Sequence, residues 1–181
     1  MIKKTVITIA TLLAASSFAF AQSDSRPTST PTLPGGATTL QETFQDWTVT
    51  CAVIENNKIC NMSQQQTQQN GQRVLGVEVA TPAGETQPVA TLVLPFGLLV
   101  SDGFTYQVDD KGTAQKATIK TCFPGGCLAT INLTPEMVQS LRAGNVIKLV
   151  AKTADNAQNF NLNVSLKGFG TALDRLNSLV K

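Results

Sequence analysis

The side chains best suited to chemistry in this sequence are four cysteines. Cys122 and Cys127 flank Pro-Gly-Gly in IKTCFPGGCLA, and Cys51 and Cys60 flank a polar segment that contains ENNK. A redox pair would need Cys-X-X-Cys spacing and a thiol whose pKa is lowered by a helix N-terminus or a cation. A zinc ribbon would also need closer spacing between its cysteines. The spacing therefore favours a structural role.

The sequence contains no histidine, which removes the Ser-His-Asp triad, the Cys-His pair and HExxH zinc sites. Three carboxylates, Asp102, Asp109 and Asp110, lie close in sequence, and a carboxylate pair could cleave a glycosidic bond in a histidine-free glycan hydrolase. Because Asp102 precedes a glycine and DDKG is typical of a turn, we interpret all three as solvated loop carboxylates. We therefore predict a non-enzymatic protein without catalytic, cofactor-binding or metal-binding residues.

Residues 1–21 have the pattern of a secretory signal peptide. Two lysines precede an apolar run from Val6 to Phe20, and Ala-Phe-Ala ends at Ala21, where we expect cleavage. The run is shorter than the roughly 20 apolar residues of a membrane-spanning helix. We therefore predict an exported protein with no transmembrane span.

Cleavage also changes the charge of the chain. Removal of Lys3 and Lys4 from 14 basic and 12 acidic residues leaves 12 of each, so the formal charge falls from +2 to zero. Aromatic residues are few, with one Trp and one Tyr. Without a basic stripe or aromatic platforms, nucleic acid is not an expected partner.

Disulfides are the default for an even number of cysteines in an exported chain. Cys51 and Cys60 can face each other across a hairpin. Cys122 and Cys127 flank a turn in which Pro124 presets one backbone dihedral. We predict the pairs Cys51–Cys60 and Cys122–Cys127, each stabilising the fold by about 2–3 kcal/mol.

The mature chain divides into a tether and one domain. Residues 22–43 are rich in Pro, Ser, Thr and Gly and cannot bury enough apolar surface to offset their ordering entropy. Residues 44–181 are long enough for one sizeable core. We predict a flexible tether followed by a single domain.

Alternating apolar and polar residues predict that this domain is all-β. The pattern occurs in WTVTCAV, VLGVEVA, GFTYQVD, VIKLVAK and NFNLNVS, whereas PVATLVLP is apolar on both faces and predicts a central strand. Asn-Gly, Asp-Gly and Pro-Gly-Gly separate the strands, and long helical crossovers are absent from the pattern. We therefore predict a two-sheet antiparallel sandwich.

Two segments predict helices instead. LTPEMVQSLRAGN has Thr134 at the capping position, Pro135 in the first turn and Gly144 at the end, which predicts a short helix between strands. GFGTALDRLNSLVK places Phe169, Ala172, Leu173, Leu176, Leu179 and Val180 on one face. We expect this C-terminal amphipathic helix to cover the core; if it projected from the domain, it would be a docking element.

Five segments in order along the domain carry a resemblance to a known family: FQDWTVTC, LPFGLLVSDGFTYQVDD, IKTCFPGGCLA, LRAGN and NVSLKGFGTALDRL. Together, from about Phe44 to Leu176, they resemble the invasion-associated locus B family of exported bacterial proteins. The resemblance implies an immunoglobulin-like β-sandwich in the envelope of a Gram-negative bacterium, without an established enzymatic reaction. It also implies that the residues matching the family are structural: Cys51, Cys60, Cys122, Cys127, Trp47, Pro95, Gly97, Gly125, Gly126 and Gly168.

These observations predict a protein that acts by binding another macromolecule, either in the periplasm or at the outer membrane. The expected partner is a protein of the bacterial envelope or of the host-cell surface, since the resemblance implies an association with host-cell invasion, notably of erythrocytes, and with virulence. We place the candidate contact loop at Phe96, Gly97 and Asp102, although the favoured interpretation of this segment is that Phe96, Leu98 and Leu99 belong to the core. The alternatives are an envelope-assembly or chaperone-like module and the glycan hydrolase.

Overall fold

The computed structural model describes residues 32–69, 71 and 73–180. The predicted signal peptide, residues 1–21, and the predicted tether up to residue 31 lie outside the described residues.

The described residues form eleven strands and two α-helices. In chain order the strands and helices are β1 Thr39–Phe44, β2 Trp47–Ile54, β3 Asn57–Thr67, β4 Arg73–Ala80, β5 Val89–Leu94, β6 Phe104–Val108, β7 Lys111–Ala117, β8 Ile119–Phe123, β9 Gly126–Asn132, α1 Pro135–Ala143, β10 Val146–Lys152, β11 Asn159–Ser165 and α2 Phe169–Val180. Short 3-10 helices lie at Pro34–Gly36 and Val100–Asp102.

The strands form two antiparallel sheets. The larger has the order β1-β2-β3-β4-β5-β9-β8, and the smaller has the order β11-β10-β6-β7. This confirms the predicted all-β class with two antiparallel sheets, a short helix between strands and a C-terminal helix. The immunoglobulin-like detail is compatible with this arrangement.

The core lies between the inner faces of the two sheets. Alternating side chains of β2, β4 and β10 are buried there, as their period-two pattern predicts. Trp47 and Phe169 meet edge to face with ring centroids 5.3 Å apart. The indole N–H of Trp47 donates to the carbonyl of Ser165 at 2.9 Å, which satisfies a polar group that burial would otherwise leave unpaired.

Both helices begin where the sequence indicates. The Thr134 hydroxyl accepts a hydrogen bond from the Met137 N–H, which caps α1. Helix α2 packs on β1, β2 and β3, and Arg175 joins it to β1 through two hydrogen bonds to Glu42, at 2.5 and 2.8 Å. The helix therefore covers the core and is not a projecting docking element. Val180, placed on the apolar face by the pattern, is exposed.

The ordered sheet begins earlier than the predicted domain boundary at Phe44. Residues 39–44 form β1 and pair with β2 from Thr39↔Ala52 to Phe44↔Trp47. Leu33 is buried in the core. The end of the segment assigned to the tether, residues 22–43, is thus part of the fold. Backbone pairing with an apolar neighbour strand offsets its low hydrophobicity, which composition alone does not reveal.

The structure contains two disulfides, Cys51–Cys60 and Cys122–Cys127. Cys51 and Cys60 are direct cross-strand partners between β2 and β3, and Cys122 and Cys127 are partners between β8 and β9. Each bridge therefore joins neighbouring strands of the larger sheet close to the turn between them.

Candidate functional site

A groove lies at the end of the sandwich where β5 ends and β11 begins, and we call it the end groove. Its volume is about 480 Å³. The connections after β3, β5 and β8 border it, together with the first half of β11. Its polar lining residues are Gln68 and Arg73. Its apolar wall consists of Val74, Val93, Leu94, Pro95, Phe96, Pro124 and Phe160.

The structure separates the three residues of the expected contact loop. Phe96 lines the end groove and is 58% exposed. Gly97 is exposed with a φ of 83°, and its carbonyl accepts from the Ala154 N–H at 2.8 Å. The Asp102 carboxylate lies outside the groove lining and pairs with the Lys152 ammonium at 3.3 Å. Phe96 alone of the three faces the groove, while the other two attach the loop to β10 and the residues after it.

The rest of this loop divides between core and surface. Leu98 is only 6% exposed and belongs to the core, whereas Val100 is exposed. The Leu99 N–H donates to the Lys152 carbonyl at 2.7 Å. The core interpretation of the loop therefore applies to Leu98 and not to Phe96.

Arg73 supplies the positive charge of the end groove. Its guanidinium donates to the Gly125 carbonyl at 2.8 Å, and it forms no ion pair within the described residues. A Cβ at Gly125 would lie 3.2 Å from this guanidinium and 2.6 Å from the Phe123 ring. Glycine therefore allows both side chains to approach the turn closely. The Phe123 ring, 42% exposed, adds a second accessible aromatic beside the groove.

A second concave region lies between the two sheets and opens to the surface, and we call it the interior cavity. Its volume is about 360 Å³. The larger sheet contributes Val77, Val79 and Leu92 to its wall, and the smaller sheet contributes Tyr106, Ile147 and Leu149. Burial raises the pKa of Tyr106, so its phenol remains protonated at neutral pH.

The mouth of the interior cavity lies between β7 and α1. Lys111, Thr113 and Gln115 line it from β7, and Glu136 and Ser140 line it from α1. All five are exposed. Leu94, the last residue of β5, marks the end of the sandwich that carries the end groove. Strand β6 ends and α1 begins at the other end, so the cavity mouth and the end groove lie at opposite ends of the sandwich.

The three aspartates considered for catalysis contact other groups of this chain. Asp102 pairs with Lys152, and Asp110 pairs with Lys148. None of the three carboxylates lines the end groove or the interior cavity. The described residues therefore give the glycan hydrolase no carboxylate pair within a groove.

Asp109 is not the freely solvated turn carboxylate that the sequence indicates. It accepts hydrogen bonds from the N–H groups of Asn145 and Val146 and from the Asn145 amide, at 2.9–3.1 Å. Desolvation acts to raise the pKa of Asp109, but these hydrogen bonds and the charge of Lys111 outweigh it and hold the pKa below its usual value. The carboxylate fixes the β6–β7 turn to the start of β10.

Sequence reasoning missed Arg73, Phe123 and Phe160 at the end groove and all of β7 at the cavity mouth. Arg73 lies on β4 of the larger sheet and Phe160 on β11 of the smaller sheet, so they line one groove only because the two sheets pack together. Strand β7 has polar residues on its inward positions, so it lacks the apolar alternation that identified other strands. One signal was present: VDDKG matches a two-residue hairpin turn, and Asp109 and Asp110 do adopt positive φ.

Neither region presents a metal site. In the described part of the chain, His, Cys, Asp and Glu side chains form no group of three or more that could hold a metal ion. Across the same residues, no helix has the length and apolar character needed to cross a membrane.

Comparisons with known proteins identify close relatives. Residues 47–177 match the family described as invasion associated locus B (IalB) protein. An invasion protein B homolog of Brucella abortus strain 2308 is 41% identical over 150 residues, which cover 82% of this chain and 86% of the relative. Invasion protein B of Bartonella bacilliformis is 38% identical over 178 residues, with coverage of 96% and 95%.

A solved structure shows the same fold. The crystal structure of invasion associated protein B from Bartonella henselae superposes with a TM-score of 0.71 at 34% identity. The match covers 77% of this chain and 96% of the other.

Proposed function

Because this chain belongs to the invasion-associated locus B family, we propose that it is an exported, non-enzymatic envelope protein that binds another protein through the end groove. Its location is the periplasm or the outer membrane of a Gram-negative bacterium. Its role is associated with host-cell invasion, in keeping with the names of its relatives.

The exposure of Phe96 in the end groove is the observation that supports binding. Large aromatic side chains are normally covered in a folded protein, and an exposed one beside an apolar groove is typical of an interaction site. Phe123 and Pro124 extend the apolar surface on the other side. The hydrogen bond from Arg73 to Gly125 and the Cys122–Cys127 bridge hold the β8–β9 turn in place, so the groove is preorganised for a partner.

The chemistry of the groove indicates the kind of segment that fits it. Pro95, Phe96, Pro124 and Phe160 suit an aromatic or branched apolar side chain. Arg73 has donors beyond the one used by Gly125 and suits a carboxylate beside that side chain. The partner is therefore a protein that presents an apolar anchor next to an acidic residue.

Crosslinking tests this proposal. Oxidised mature protein, residues 22–181, is crosslinked to intact host cells and separately to its own bacterial envelope, and captured proteins are identified by mass spectrometry. We expect saturable capture that Phe96→Ala weakens about tenfold or more, as for an interface hot spot. Ile59→Ala is the matched control, because Ile59 is equally exposed but lies on β3 outside the groove.

The outcomes distinguish the possible roles. Capture of a host surface protein supports a direct role in invasion. Capture of bacterial envelope proteins alone supports a role in the assembly or integrity of the envelope. Equal capture by the Phe96→Ala and Ile59→Ala variants, or no capture from either source, contradicts binding through the end groove.

Strand β11 favours a second candidate function, an assembly or chaperone-like module that adds a strand from a client. NFNLNVS is an edge strand without charge or proline, which lacks the usual protection against strand addition. Gln66 and Gln64 already donate to the Asn163 and Ser165 carbonyls, so a client strand would pair near residues 159–162. If a client adds its strand to β11, Asn161→Pro should abolish client binding. If the end groove alone binds the client, the same substitution should leave client binding intact.

A further inference from the structure

We propose that the interior cavity is a binding site for a single hydrocarbon chain, the acyl chain of a fatty acid or lipid, whose polar head remains at the mouth beside Lys111. This site is separate from the end groove and does not depend on the proposed function.

The size of the interior cavity is the first reason. Protein interiors are close-packed, with few voids larger than a water molecule. An apolar cavity of about 150 Å³ is enough to bind benzene, and the interior cavity has about 360 Å³. It also falls within the range of about 300–1,000 Å³ typical of small-molecule sites. An unfilled space of this size would deprive its wall of dispersion contacts.

The chemistry of the wall selects an apolar occupant. Both sheets present aliphatic side chains to the cavity, among them Val77, Leu92, Ile147 and Leu149. In the described residues, no buried side-chain nitrogen or oxygen lacks a hydrogen-bond partner. A water molecule needs two to four polar partners, so the aliphatic part of the wall does not favour bound water. A hydrocarbon chain needs none.

Several inner-face side chains support an occupant of this kind. Tyr106, Val108, Ile131, Met137 and Ile147 line the cavity and are only partly buried. By contrast, the β4 side chains that line the cavity, Val77 and Val79, are buried. The sandwich is therefore packed tightly on one side and left open toward α1, where a chain would complete the burial.

The mouth is suited to a polar head. Lys111, Thr113 and Gln115 place a cation, a hydroxyl and an amide along β7. Lys111 is 77% exposed and lies 4.0 Å from Asp109, so its ammonium is accessible to a carboxylate or phosphate. Glu136 lies on the opposite lip, where hydrogen bonds with its own N–H and with Thr134 lower its pKa. Its negative charge directs an anionic head toward the β7 side.

The position of β7 allows a chain to enter. It is the outer strand of the smaller sheet and, among the strands that the structure describes, pairs only with β6. Its residues 111–116 are all exposed. An outward movement of β7 would break pairing with one neighbour only and would leave the central strands unchanged.

The fluorescence of Trp47 can report directly on ligand binding in the interior cavity. It is the single tryptophan of the sequence and lines the cavity. Mature protein is delipidated and titrated with dodecanoate or with lauroyl lysophosphatidylcholine below its micelle concentration, while Trp47 fluorescence is recorded. Native mass spectrometry of the same samples reports the bound mass. We expect saturable binding at one chain per protein, detected by both methods.

Variants locate the site. Ala90→Leu, which adds side-chain volume to the cavity wall, should weaken binding about tenfold or more. Lys111→Gln should weaken dodecanoate binding about two- to fivefold, the range expected for an exposed ion pair. Lys116→Gln is the matched control, because Lys116 lies on the opposite face of β7 outside the lining. Phe96→Ala should also leave lipid binding unchanged, which separates this site from the end groove.

The results show whether the bound hydrocarbon chain belongs to a free fatty acid or to a lipid, and they can overturn the proposal. Binding of dodecanoate alone assigns a free fatty acid, and binding of both probes assigns an acyl chain that can belong to a membrane lipid. Absence of bound mass and of a fluorescence change for both probes overturns the proposal. If Ala90→Leu unfolds the protein, equal dodecanoate affinities of the Lys111→Gln and Lys116→Gln variants overturn it.

Discussion

Asp109 connects two separate parts of the chain through one carboxylate. Its two oxygens accept hydrogen bonds from the N–H groups of Asn145, just before β10, and Val146, the first residue of β10, while its own backbone forms the β6–β7 turn. A carboxylate that accepts several backbone N–H bonds is stabilised in its charged form, which explains its lowered pKa. The charged side chain therefore holds the β6–β7 hairpin, which borders the cavity mouth, against the start of β10.

Replacement of Asp109 by Asn should lower the Tm by about 3–6 °C at pH 7. Since the folded-state pKa is depressed, the stabilisation is present above the unfolded pKa of about 3.9 and is lost as pH falls through the folded value. The stability difference between wild type and variant should therefore disappear at strongly acidic pH, as measured by denaturant unfolding across a pH series. Asp155→Asn, on an exposed loop, is the control. A pH-independent difference would show that the charge is not responsible.

Among the elements, strands with an apolar inner face were predictable, since apolar side chains recur at every second position of β2, β4, β6, β10 and β11. Strands whose inner positions are polar were not, because β7 carries Lys, Thr and Gln where its neighbours carry aliphatic residues. Residues 39–43 of β1 were assigned to the tether, because their composition does not indicate a strand and their structure depends on pairing with β2. Local patterns indicate which residues are buried against a neighbour, but not which distant residues line a groove.

The junction between β11 and α2 depends on a close backbone approach. Gly168 has a φ of 83°, and a Cβ there would lie 2.0 Å from the Phe44 carbonyl oxygen. The Gly168 carbonyl also accepts the first hydrogen bond of α2, from the Ala172 N–H at 2.9 Å. The start of the helix is therefore fixed against the end of β1.

Gly168→Ala should lower the free energy of unfolding by about 2–4 kcal/mol, through left-handed strain and the clash with Phe44. Gly84→Ala is a matched control, because Gly84 also has a φ of 83° but has open space around its Cβ position. Gly84→Ala should lower the free energy of unfolding by only about 1 kcal/mol, the part due to backbone strain. Urea unfolding of both variants gives the comparison, and equal losses would show that the contact with Phe44 is unimportant.

At the scale of the whole molecule, the end groove and the mouth of the interior cavity lie at opposite ends and depend on different supports. The end groove is held by the Cys122–Cys127 bridge and the contact from Arg73 to Gly125. The mouth of the interior cavity is held by Asp109 and by the capped helix α1. Because no support is shared, we expect the two proposed sites to bind their ligands independently of each other.

Removal of the Cys122–Cys127 bridge tests this independence. Cys122→Ala/Cys127→Ala should lower the free energy of unfolding by about 2 kcal/mol, the chain-entropy value for a short loop. Since the bridge borders only the end groove, protein capture should weaken while the affinity for dodecanoate, followed by Trp47 fluorescence, stays unchanged. Asp109→Asn should instead weaken dodecanoate binding and leave protein capture unchanged, because it loosens the cavity mouth and leaves the β8–β9 turn intact. If each change impaired both activities equally, the two ends would be coupled through the core, and a ligand at one end would alter binding at the other.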